Sequence, residues 1–331
     1  MIGKAKAEWE KLKAVALHKP GLEVYLALIE PKTFLYQRRF SFSNARREYE
    51  EIIETLKGEG IKIYRLLHTI ARRAEKDKRF YGILKEIVGI DGDPWFLSRF
   101  LLLKPEIRSE TEIVIKNPLA NMYFMRDQQI TTDFGIIIGK MAKVQRRNET
   151  EVAKLFWRAL NVKYVEVTEG FLEGGDFFPM GDFYLVGVGN RSDLKGAEIL
   201  IKTGKEVAVV HEERSEEFFH LDTYFNVASS NTVVGVKQLM ERNRVEVYIG
   251  GKKVEEITFL EYIKRKGFNV YPVSVEEARN YATNFLTIDD GKIISPVNLR
   301  IEGVDVITVN IKNLSGGFGG IHCMTAVVER G

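Results

Sequence analysis

The sequence has few of the features that mark secreted, membrane-bound or multidomain chains. It has one cysteine, Cys323, so an internal disulfide is excluded and a reducing, cytoplasmic setting is expected. No segment approaches the roughly 18 consecutive apolar residues that a membrane helix needs, and residues 1–4 lead into no apolar run of signal-peptide type. The chain has only 8 prolines and no Ser/Gly-rich stretch. This predicts a single domain over residues 1–331 without a linker.

An excess of charge of one sign is also missing. The 49 Lys and Arg residues against 46 Asp and Glu give a net charge of +3 and a pI near 8.7, so nothing calls for nucleic acid as a partner. Apolar residues make up 45% and charged residues 29% of the chain, which excludes a disordered, collagen-like or disulfide-scaffold protein. Neither the charge nor the composition decides whether the chain forms a homo-oligomer.

What the sequence does contain, from about residue 124 onward, is a repeat of strand, strand, helix and strand. Units begin at Phe124, Glu173, His220 and Asn284, and a fifth would begin near Cys323. The predicted elements are hairpin arms at 129–132 and 136–138, a helix at 149–160 and a strand at 164–167 in the first unit; a hairpin turning at 180–182, a helix near 193–202 and a strand at 207–210 in the second; hairpin arms at 224–227 and 232–236 in the third; and a hairpin turning at 289–291 with a strand at 304–309 in the fourth.

The N-terminal part predicts a strand at 14–18 and a helix at 44–57 that is N-capped by Ser43 and followed by a strand at 61–66. The segment 69–104 is charged, aromatic and helical in pattern, and we interpret it as an insertion within the domain. A unit of this size cannot bury its sheet face alone. Five units that close through the N-terminal strand predict an α/β fold of propeller type.

One polar residue recurs at the same place in each unit, at or beside the start of the first hairpin strand. These residues are Asp127, Asp176, Asp222, Asn284 and Cys323. Equivalent positions of a ring converge on its axis. We therefore expect the five side chains at one central site, although they are far apart in the sequence.

Taken alone, each candidate motif has an ordinary structural explanation. A lone cysteine such as Cys323 is most often a buried small apolar residue. Four glycines within residues 316–320 precede it, however, and they suit a loop whose backbone approaches a ligand or takes a positive φ. That context favours a nucleophile. His220 and Asp222 would share one face of a strand, where a surface pair is the ordinary alternative.

Two other acidic motifs have equally ordinary explanations. Leu172–Asp176 (LEGGD) places two acids around a Gly-Gly turn and is typical of a solvated loop. Arg126 and Asp127 lie together in an aromatic segment, where an internal salt bridge is expected. Neither motif identifies a site by itself.

The histidines and glycines show no sign of a metal or nucleotide site. The five histidines never lie near a Cys or another His at metal-ligand spacing; they are His18, His68, His211, His220 and His322. The glycine run at 316–320 opens no βαβ unit, and no P-loop or dinucleotide fingerprint is present. No metal and no cofactor is expected.

Together, the motifs are far more specific than any one of them. In order they are N-x5-D (Asn121 and Asp127), LEGGD, HLD and GGIHCMT. This ordered set resembles the arginine deiminases, within the guanidino-group-modifying (pentein) superfamily that also holds the amidinotransferases. The resemblance covers nearly the whole chain, beginning at the segment 17–23 (LHKPGLE) and continuing through 146–150, 187–192 and 284–286.

The resemblance implies a five-bladed α/β propeller and assigns chemical roles. Cys323 matches the nucleophile, His220 the general acid/base, and Glu173 the carboxylate that orients this histidine. Asp127 and Asp222 match the pair that grips the substrate guanidinium. A small-molecule guanidine is therefore the expected partner, with no nucleic acid and no membrane.

For the rest of the substrate, Arg191, and also Arg146 and Asn121, match positions that hold an α-carboxylate, and Asp176 is grouped with the substrate-binding residues. Two departures concern this part. The insertion at 69–104 is shorter than in bacterial deiminases, and Phe318 stands where some relatives have an arginine that contacts the substrate carboxylate.

The implied activity is hydrolysis of a guanidine to a ureido product and ammonia through a covalent intermediate on Cys323. The expected substrate is L-arginine, which would give L-citrulline. A guanidinium stays cationic because its pKa is above roughly 12, so carboxylates suit its recognition. Only the thiolate of Cys323 is nucleophilic. Nearby carboxylates should raise its pKa, whereas the bound cation and a protonated His220 should lower it. This predicts substrate-assisted ionisation.

Several alternatives stay open. An amidinotransferase would use the same residues but pass the amidino group from Cys323 to an amine. An arginine dihydrolase would carry hydrolysis on to ornithine, ammonia and carbon dioxide. Agmatine or a methylated arginine would replace arginine if Arg191 and Arg146 hold no carboxylate. A non-enzymatic ribosome anti-association factor has the same ring fold, but retention of the Cys, the His and the acids argues against it.

Overall fold

The computed structural model describes residues 1–109, 112–213 and 215–331, which form a mixed α/β fold. The strands are β1 (Leu12–Leu17), β2 (Lys62–Arg65), β3 (Pro105–Ser109), β4 (Glu112–Ile115), β5 (Gln129–Thr131), β6 (Ile136–Ile138), β7 (Tyr164–Glu166), β8 (Phe177–Pro179), β9 (Phe183–Val188), β10 (Glu206–His211), β11 (Phe225–Val227), β12 (Thr232–Val236), β13 (Arg244–Ile249), β14 (Lys252–Thr258), β15 (Asn269–Val273), β16 (Leu286–Asp289), β17 (Lys292–Ser295), β18 (Asp305–Thr308) and β19 (Ala326–Arg330). The helices are α1 (Leu22–Ala27), α2 (Phe42–Gly58), α3 (Leu66–Lys76), α4 (Lys78–Val88), α5 (Pro94–Phe100), α6 (Glu149–Ala159), α7 (Leu194–Ile201), α8 (Lys237–Arg242), α9 (Phe259–Arg265), α10 (Val275–Arg279) and α11 (Ile321–Met324).

Five sheets share one topology, in which an antiparallel hairpin is followed by a crossover to a parallel third strand. In the first of them β5 pairs antiparallel with β6, and β6 pairs parallel with β7 after the crossover through α6. The same pattern holds for β8-β9-β10, β11-β12-β15, β16-β17-β18 and β19-β1-β2. The repeat predicted from the sequence is therefore present.

The last of these sheets joins the two ends of the chain. β19 pairs antiparallel with β1 through Val327 and Val15, and β1 then pairs parallel with β2. The predicted closure through the N-terminal strand is confirmed by this pairing. Because β1 and β19 are almost the whole sequence apart, neither strand can form its sheet until the rest of the chain brings them together.

The structure corrects the predicted pattern in three places. The fourth predicted unit has no helix between β17 and β18, so strand–strand–helix–strand is wrong for that unit. The third unit carries an additional hairpin, β13-β14, which joins the neighbouring sheet in the order β14-β13-β10-β9-β8. Helix α2 is capped by Ser41, whose side chain accepts from the backbone N–H of Asn44, and not by Ser43. Ser43 is already the second residue of the helix, so it lies inside the first turn and cannot be the N-cap.

The segment after β2 forms three helices, α3, α4 and α5, followed by the β3-β4 hairpin. Asp77 caps α4 and Asp93 caps α5 by accepting backbone N–H groups of the first turn. The apolar side chains of α4, among them Phe80 and Leu84, are buried against the same cluster as Trp157 of α6. That this segment is an insertion within a single domain stays a prediction.

Apolar side chains pack the sheets against the helices and against one another in four clusters. In one chain of aromatic contacts, Phe225 lies 5.5 Å from Phe178 and 5.0 Å from Phe259, measured between ring centroids. Buried residues also flank the loops that precede the first strand of each sheet, and those loops carry the polar residues of the site. Among the described residues, no helix has both the length and the apolar composition needed to cross a membrane.

Candidate active site

Five buried polar residues occupy equivalent places, one to three residues before the first strand of each sheet. They are Asp127 before β5, Asp176 before β8, Asp222 before β11, Asn284 before β16 and Cys323 before β19. Each is at most 3% exposed. Three of these residues lie close together, as Cys323 contacts both Asp222 and Asn284. The repeat in the sequence thus corresponds to a cluster in space.

Cys323 lies in the short helical turn α11 and is held by the amide of Asn284. The backbone N–H of Cys323 donates to Oδ1 of Asn284 at 3.1 Å, and Nδ2 of Asn284 donates to Sγ at 3.1 Å. Gly319 and Gly320 let the loop approach closely, because a Cβ on Gly320 would lie 2.7 Å from Oδ1 of Asn284 and one on Gly319 would lie 3.1 Å from Cβ of Cys323. The glycine run thus brings the backbone against the site, as its sequence suggested.

The thiol of Cys323 faces a carboxylate. Its Sγ lies 3.3 Å from Oδ2 of Asp222. Burial raises the pKa of Cys323 well above its usual value, and the charges of Asp222 and Asp127 raise it further, while the hydrogen bond from Asn284 opposes the shift. In the absence of a cation, the residue is therefore a thiol at neutral pH.

His220 is fixed by Glu173 and surrounded by acids. Its Nε2 lies 2.8 Å from Oε2 of Glu173, and its Nδ1 lies 3.8 Å from Oδ1 of Asp127. Burial lowers the pKa of His220, but Asp127, Asp176 and Glu173 outweigh burial and raise it to about 9. Burial also raises the pKa of Glu173, but Arg191 and His220 lower it to about 2. The pair is thus an imidazolium beside a carboxylate at neutral pH.

Asp127 and Asp222 each have one carboxylate oxygen that accepts no hydrogen bond from a described residue. Oδ2 of Asp127 accepts from Nη1 of Arg146 at 2.6 Å, whereas its Oδ1 is buried and accepts no hydrogen bond from any described residue. Oδ2 of Asp222 faces Cys323 and His322, and its Oδ1 is likewise buried without a described partner. An unpaired buried acceptor is costly, so these two oxygens indicate a place for a missing donor.

The residues expected to hold a carboxylate differ in how far they are already engaged. Arg146 donates to Asp127 and to Glu149, with Nη2 at 2.9 Å from Oε2 of Glu149. Arg191 lies with Nη1 at 3.3 Å from Oε2 of Glu173 and with its guanidinium carbon 4.7 Å from the ring centre of Phe219, and its Nε has no described partner. Arg191 is therefore the freer of the two cations.

Asn121 and Asp176 are placed differently. Asn121 lines the cavity described below, and its Nδ2 donates to the carbonyl of Phe34 at 2.8 Å. Asp176 accepts from the backbone N–H of Leu221 at 2.9 Å and from the hydroxyl of Ser192 at 2.5 Å, and it does not line that cavity. Its contacts hold the segment that carries His220 and Asp222.

A small cavity opens beside Cys323, and six of the nine predicted site residues line it. Phe318 borders both this cavity and a wider neighbouring one. It has a φ of 79°, a left-handed conformation that side chains other than Gly, Asn and Asp seldom adopt. The lining residues of the cavity beside Cys323 are Leu35, Asn121, Phe124, Asp127, Arg146, Arg191, Phe219, His220, Gly317, Phe318 and Cys323.

Asp127, Glu173 and His220 also have the composition of a metal site, since one ligand atom of each lies within 4.8 Å of the others. Sequence spacing did not reveal this group because the three residues come from three different units. Glu173 is shared between His220 and Arg191. Two cationic side chains thus already neutralise Glu173, and these contacts favour acid–base chemistry by His220.

Two buried residues behind Cys323 were not identified from the sequence. His322 donates from Nδ1 to Oδ2 of Asp222 at 2.8 Å, and its Nε2 lies 3.6 Å from Oε1 of Glu8. Both side chains are at most 1% exposed. His322 had a weak signal, its place next to Cys323, whereas Glu8 is 315 residues from Cys323 and no local pattern could have found it.

The comparisons with known proteins agree on one family. A family model described as arginine deiminase matches residues 101–330. The arginine deiminase of Halobacterium salinarum is 25% identical, with 98% of this chain and 96% of that protein covered. The predicted resemblance to the arginine deiminases is thereby confirmed.

Two solved structures are similar in fold. One is the N-terminal domain of ArgZ, an arginine dihydrolase from the ornithine–ammonia cycle in cyanobacteria, with a TM-score of 0.65 at 16% identity over 96% of this chain and 97% of that one. The other is a Pseudomonas aeruginosa DDAH (a dimethylarginine dimethylaminohydrolase) complexed with citrulline, with a TM-score of 0.62 at 17% identity over 95% of this chain and 98% of that one. The mixed α/β fold is thus shared with these two structures, and the chain belongs to the arginine deiminase family of hydrolases, enzymes that act on guanidino C–N bonds.

Proposed function

We propose that the chain hydrolyses L-arginine to L-citrulline and ammonia through a covalent intermediate on Cys323. The observation that carries this proposal is the pair of buried, unpaired oxygens, Oδ1 of Asp127 and Oδ1 of Asp222, at a site with a thiol and an imidazolium. A cationic group with several N–H donors satisfies both oxygens at once. A guanidinium is such a group.

The same proposal includes the arrangement of the five sheets as blades of an α/β propeller. The shared topology of the sheets and the meeting of residues from several units support it. In such a propeller the site lies on the central axis, where the loop that precedes the first strand of each sheet ends. Each unit contributes one polar side chain, so no single unit carries the chemistry.

Binding comes first. The substrate guanidinium donates to Asp127 and Asp222, and its positive charge offsets the carboxylates that raise the pKa of Cys323. The thiol releases its proton to solvent as the cation binds, and the thiolate forms a bond to the guanidinium carbon while one C–N π bond becomes a lone pair on nitrogen. Ionisation in step with binding makes the free thiol react more slowly with other electrophiles.

The tetrahedral adduct then breaks its C–N bond, and His220 donates its proton to the departing ammonia. Because its pKa is raised to about 9, His220 holds that proton at neutral pH. An S-alkylthiouronium remains on Cys323. A water molecule attacks it, His220 accepts the water's proton, the C–S bond breaks, and the ureido product leaves with one water consumed and one ammonia released.

Arg191 is the cation we assign to the substrate's α-carboxylate. Its Nε lacks a described partner, whereas Arg146 is divided between Asp127 and Glu149. We assign Arg146 and Asp176 to positioning, the first of Asp127 and the second of the segment that carries His220. The cytoplasm is the proposed compartment because Cys323 must stay reduced to react.

The test is an identification of all products from arginine. Purified protein is given arginine with and without glycine as an amine acceptor, and citrulline, ornithine, ammonia and guanidinoacetate are quantified. Citrulline and ammonia in equal amounts, unaffected by glycine, support the proposal. Ornithine with two equivalents of ammonia makes the chain a dihydrolase, and transfer to glycine makes it an amidinotransferase. Cys323→Ser is the inactive control, and Asp305→Asn, an exposed acid of β18, is the matched active control.

A further inference from the structure

A chain of buried charged groups runs from the nucleophile to both ends of the sequence. Asp222 contacts His322, His322 faces Glu8, and Oε1 of Glu8 accepts from Nη2 of Arg330 at 2.7 Å. Arg126 completes the chain, with Nη2 at 3.9 Å from Glu8 and Nε donating to the carbonyl of His322 at 3.2 Å. All five residues are at most 7% exposed. The reaction proposed above uses none of them except Asp222.

The ring of His322 is hydrogen-bonded at Nδ1, faces a carboxylate at Nε2 and is stacked on its face. Its Nδ1 and Nε2 face the carboxylates of Asp222 and Glu8, at 2.8 and 3.6 Å. The ring of Phe178 stacks on it with a centroid distance of 5.2 Å and an interplanar angle of 16°. Arg330 in turn holds Glu8 by a hydrogen bond at 2.7 Å, so the hydrogen bond to Asp222, the charge of Glu8 and the stacking on Phe178 together favour one orientation of the imidazole.

That orientation decides how the two oxygens of Asp222 are used. Oδ2 accepts from Nδ1 of His322 and faces the thiol of Cys323, while Oδ1 is left buried without a described partner. The terminal torsion of an aspartate is soft and nearly two-fold. A hydrogen bond from a fixed ring therefore selects which oxygen faces the thiol and which one stays free.

The contact also keeps Asp222 ionised. Burial raises the pKa of this carboxyl, but the hydrogen bond and charge of His322 outweigh burial and lower it. A carboxylate that lost this partner would be harder to keep charged and would be free to turn. Both changes weaken a grip on a guanidinium.

We propose that His322 is a positioning residue, which holds Oδ2 of Asp222 beside Cys323 and so reserves Oδ1 for the cationic substrate. Glu8 and Arg330 act through His322 by fixing its ring. The inference rests on the proposed function, because a cationic guanidine is what the free oxygen receives. Its reagent test below does not require turnover.

The competing explanation is a structural strut that ties the N-terminal segment to β19. The two explanations differ in whether a hydrogen-bond donor at the position of Nδ1 should restore activity. In His322→Asn the side-chain amide places an N–H near the place of Nδ1 but loses the ring, whereas His322→Phe keeps the stacking on Phe178 and loses the donor. If His322 is a strut, His322→Phe should be the more active variant. If His322 positions Asp222, His322→Asn should be the more active one.

The first measurement is arginine turnover of folded protein, with the thermal midpoint of each variant. His322→Phe should lose about 10- to 100-fold in kcat/KM, the loss typical when a residue that orients an active-site group is removed. His322→Asn should recover a large part of this loss even where its thermal midpoint is lower. Glu8→Gln should lose less than His322→Phe. The control is His211→Asn, which breaks the half-exposed pair of His211 with Glu246 at 3.3 Å and should leave kcat/KM unchanged.

The second measurement compares two reagents that alkylate Cys323, the cationic 2-chloroacetamidine and the neutral iodoacetamide. His322→Phe should slow the cationic reagent relative to the neutral one, and His322→Asn should restore the wild-type ratio. An unchanged ratio in His322→Phe, or activity in both variants that follows the thermal midpoint alone, overturns the proposal. If the wild-type protein releases no ammonia from arginine, the proposed function fails, while the ratio of alkylation rates still decides the role of His322.

Discussion

Sγ of Cys323 lies 3.3 Å from Oδ2 of Asp222, so the thiol is held against an anion and not against a base that would ionise it. A thiolate in this place would face two carboxylates, those of Asp222 and Asp127, in a buried cavity. The same two carboxylates form the proposed grip on the substrate cation. Binding and activation of the nucleophile are therefore one event, and each prediction below tests a part of this coupling.

Cys323→Ser should abolish turnover without changing the fold, because a hydroxyl is far less ionised than a thiol at neutral pH. Circular dichroism and the thermal midpoint check the fold, and ammonia release checks the activity. Mass spectrometry of the wild-type enzyme, quenched during turnover, should find the substrate's amidino carbon bound to Cys323. Turnover by the serine variant near the wild-type rate would contradict a thiolate mechanism.

Alkylation of free Cys323 by iodoacetamide should accelerate with rising pH and reach its plateau only well above pH 9.0, because burial and the two aspartates raise the pKa of the thiol. Asp127→Asn removes one of these charges and should move the plateau to lower pH. The profile is measured as the rate constant against pH. Asp305→Asn should leave the profile where it is, and a wild-type plateau near neutral pH would exclude substrate-assisted ionisation.

Asp127→Ala and Asp222→Ala should each weaken transition-state binding by several kcal/mol, because part of a buried guanidinium loses its partner. The effect should appear in kcat/KM for arginine. Small and equal losses in both variants would mean that the two carboxylates do not act on one substrate.

His220→Ala should slow the proton-transfer steps by about 10² to 10⁴. In the wild type, His220 is protonated below its pKa of about 9, so activity should fall as the pH rises through that value. Glu173 is one of the acids that raise this pKa, and Glu173→Gln should therefore move the descending limb of the pH–rate profile to lower pH. Glu246→Gln, which changes contacts with His211, Tyr248 and Lys253 and none with the proposed site residues, serves as the matched control. A limb that stays in place in Glu173→Gln would separate Glu173 from the acid–base function.

Arginine should be preferred to agmatine, which lacks the carboxylate proposed to bind Arg191. Losing a charge-assisted hydrogen bond costs roughly 1.5–3 kcal/mol, or about 10- to 150-fold in specificity. Arg191→Ala should erase the preference by depressing turnover of arginine with little change for agmatine, measured as ammonia release. Arg158→Ala, on the exposed side of α6, should keep the preference. If the wild type prefers agmatine, the assignment to free arginine fails while the chemistry of Cys323 and His220 survives.

Much of the fold could be predicted because its elements are set by local patterns. The hairpin arms of the third unit show this, since the arm predicted at 232–236 agrees with β12 (Thr232–Val236). The β13-β14 hairpin shows why other parts of the fold could not be predicted. The β13-β14 hairpin turns at Gly250 and Gly251, both with positive φ, yet it interrupts a unit and pairs with the sheet of another. No periodicity within the unit could indicate that partner.

For the site, the sequence by itself determined which residues recur before each hairpin, because the repeat places them at equivalent positions. It also named Cys323, His220 and the acids through their ordered motifs. Only the tertiary structure decided which oxygens of Asp127 and Asp222 stay free, since that depends on donors outside their own motifs, Arg146 for Asp127 and His322 for Asp222. It alone placed Glu8 behind the nucleophile. Motifs carry residue type and spacing, whereas the free lone pair, the shifted pKa and the buried partner arise only where distant segments pack together.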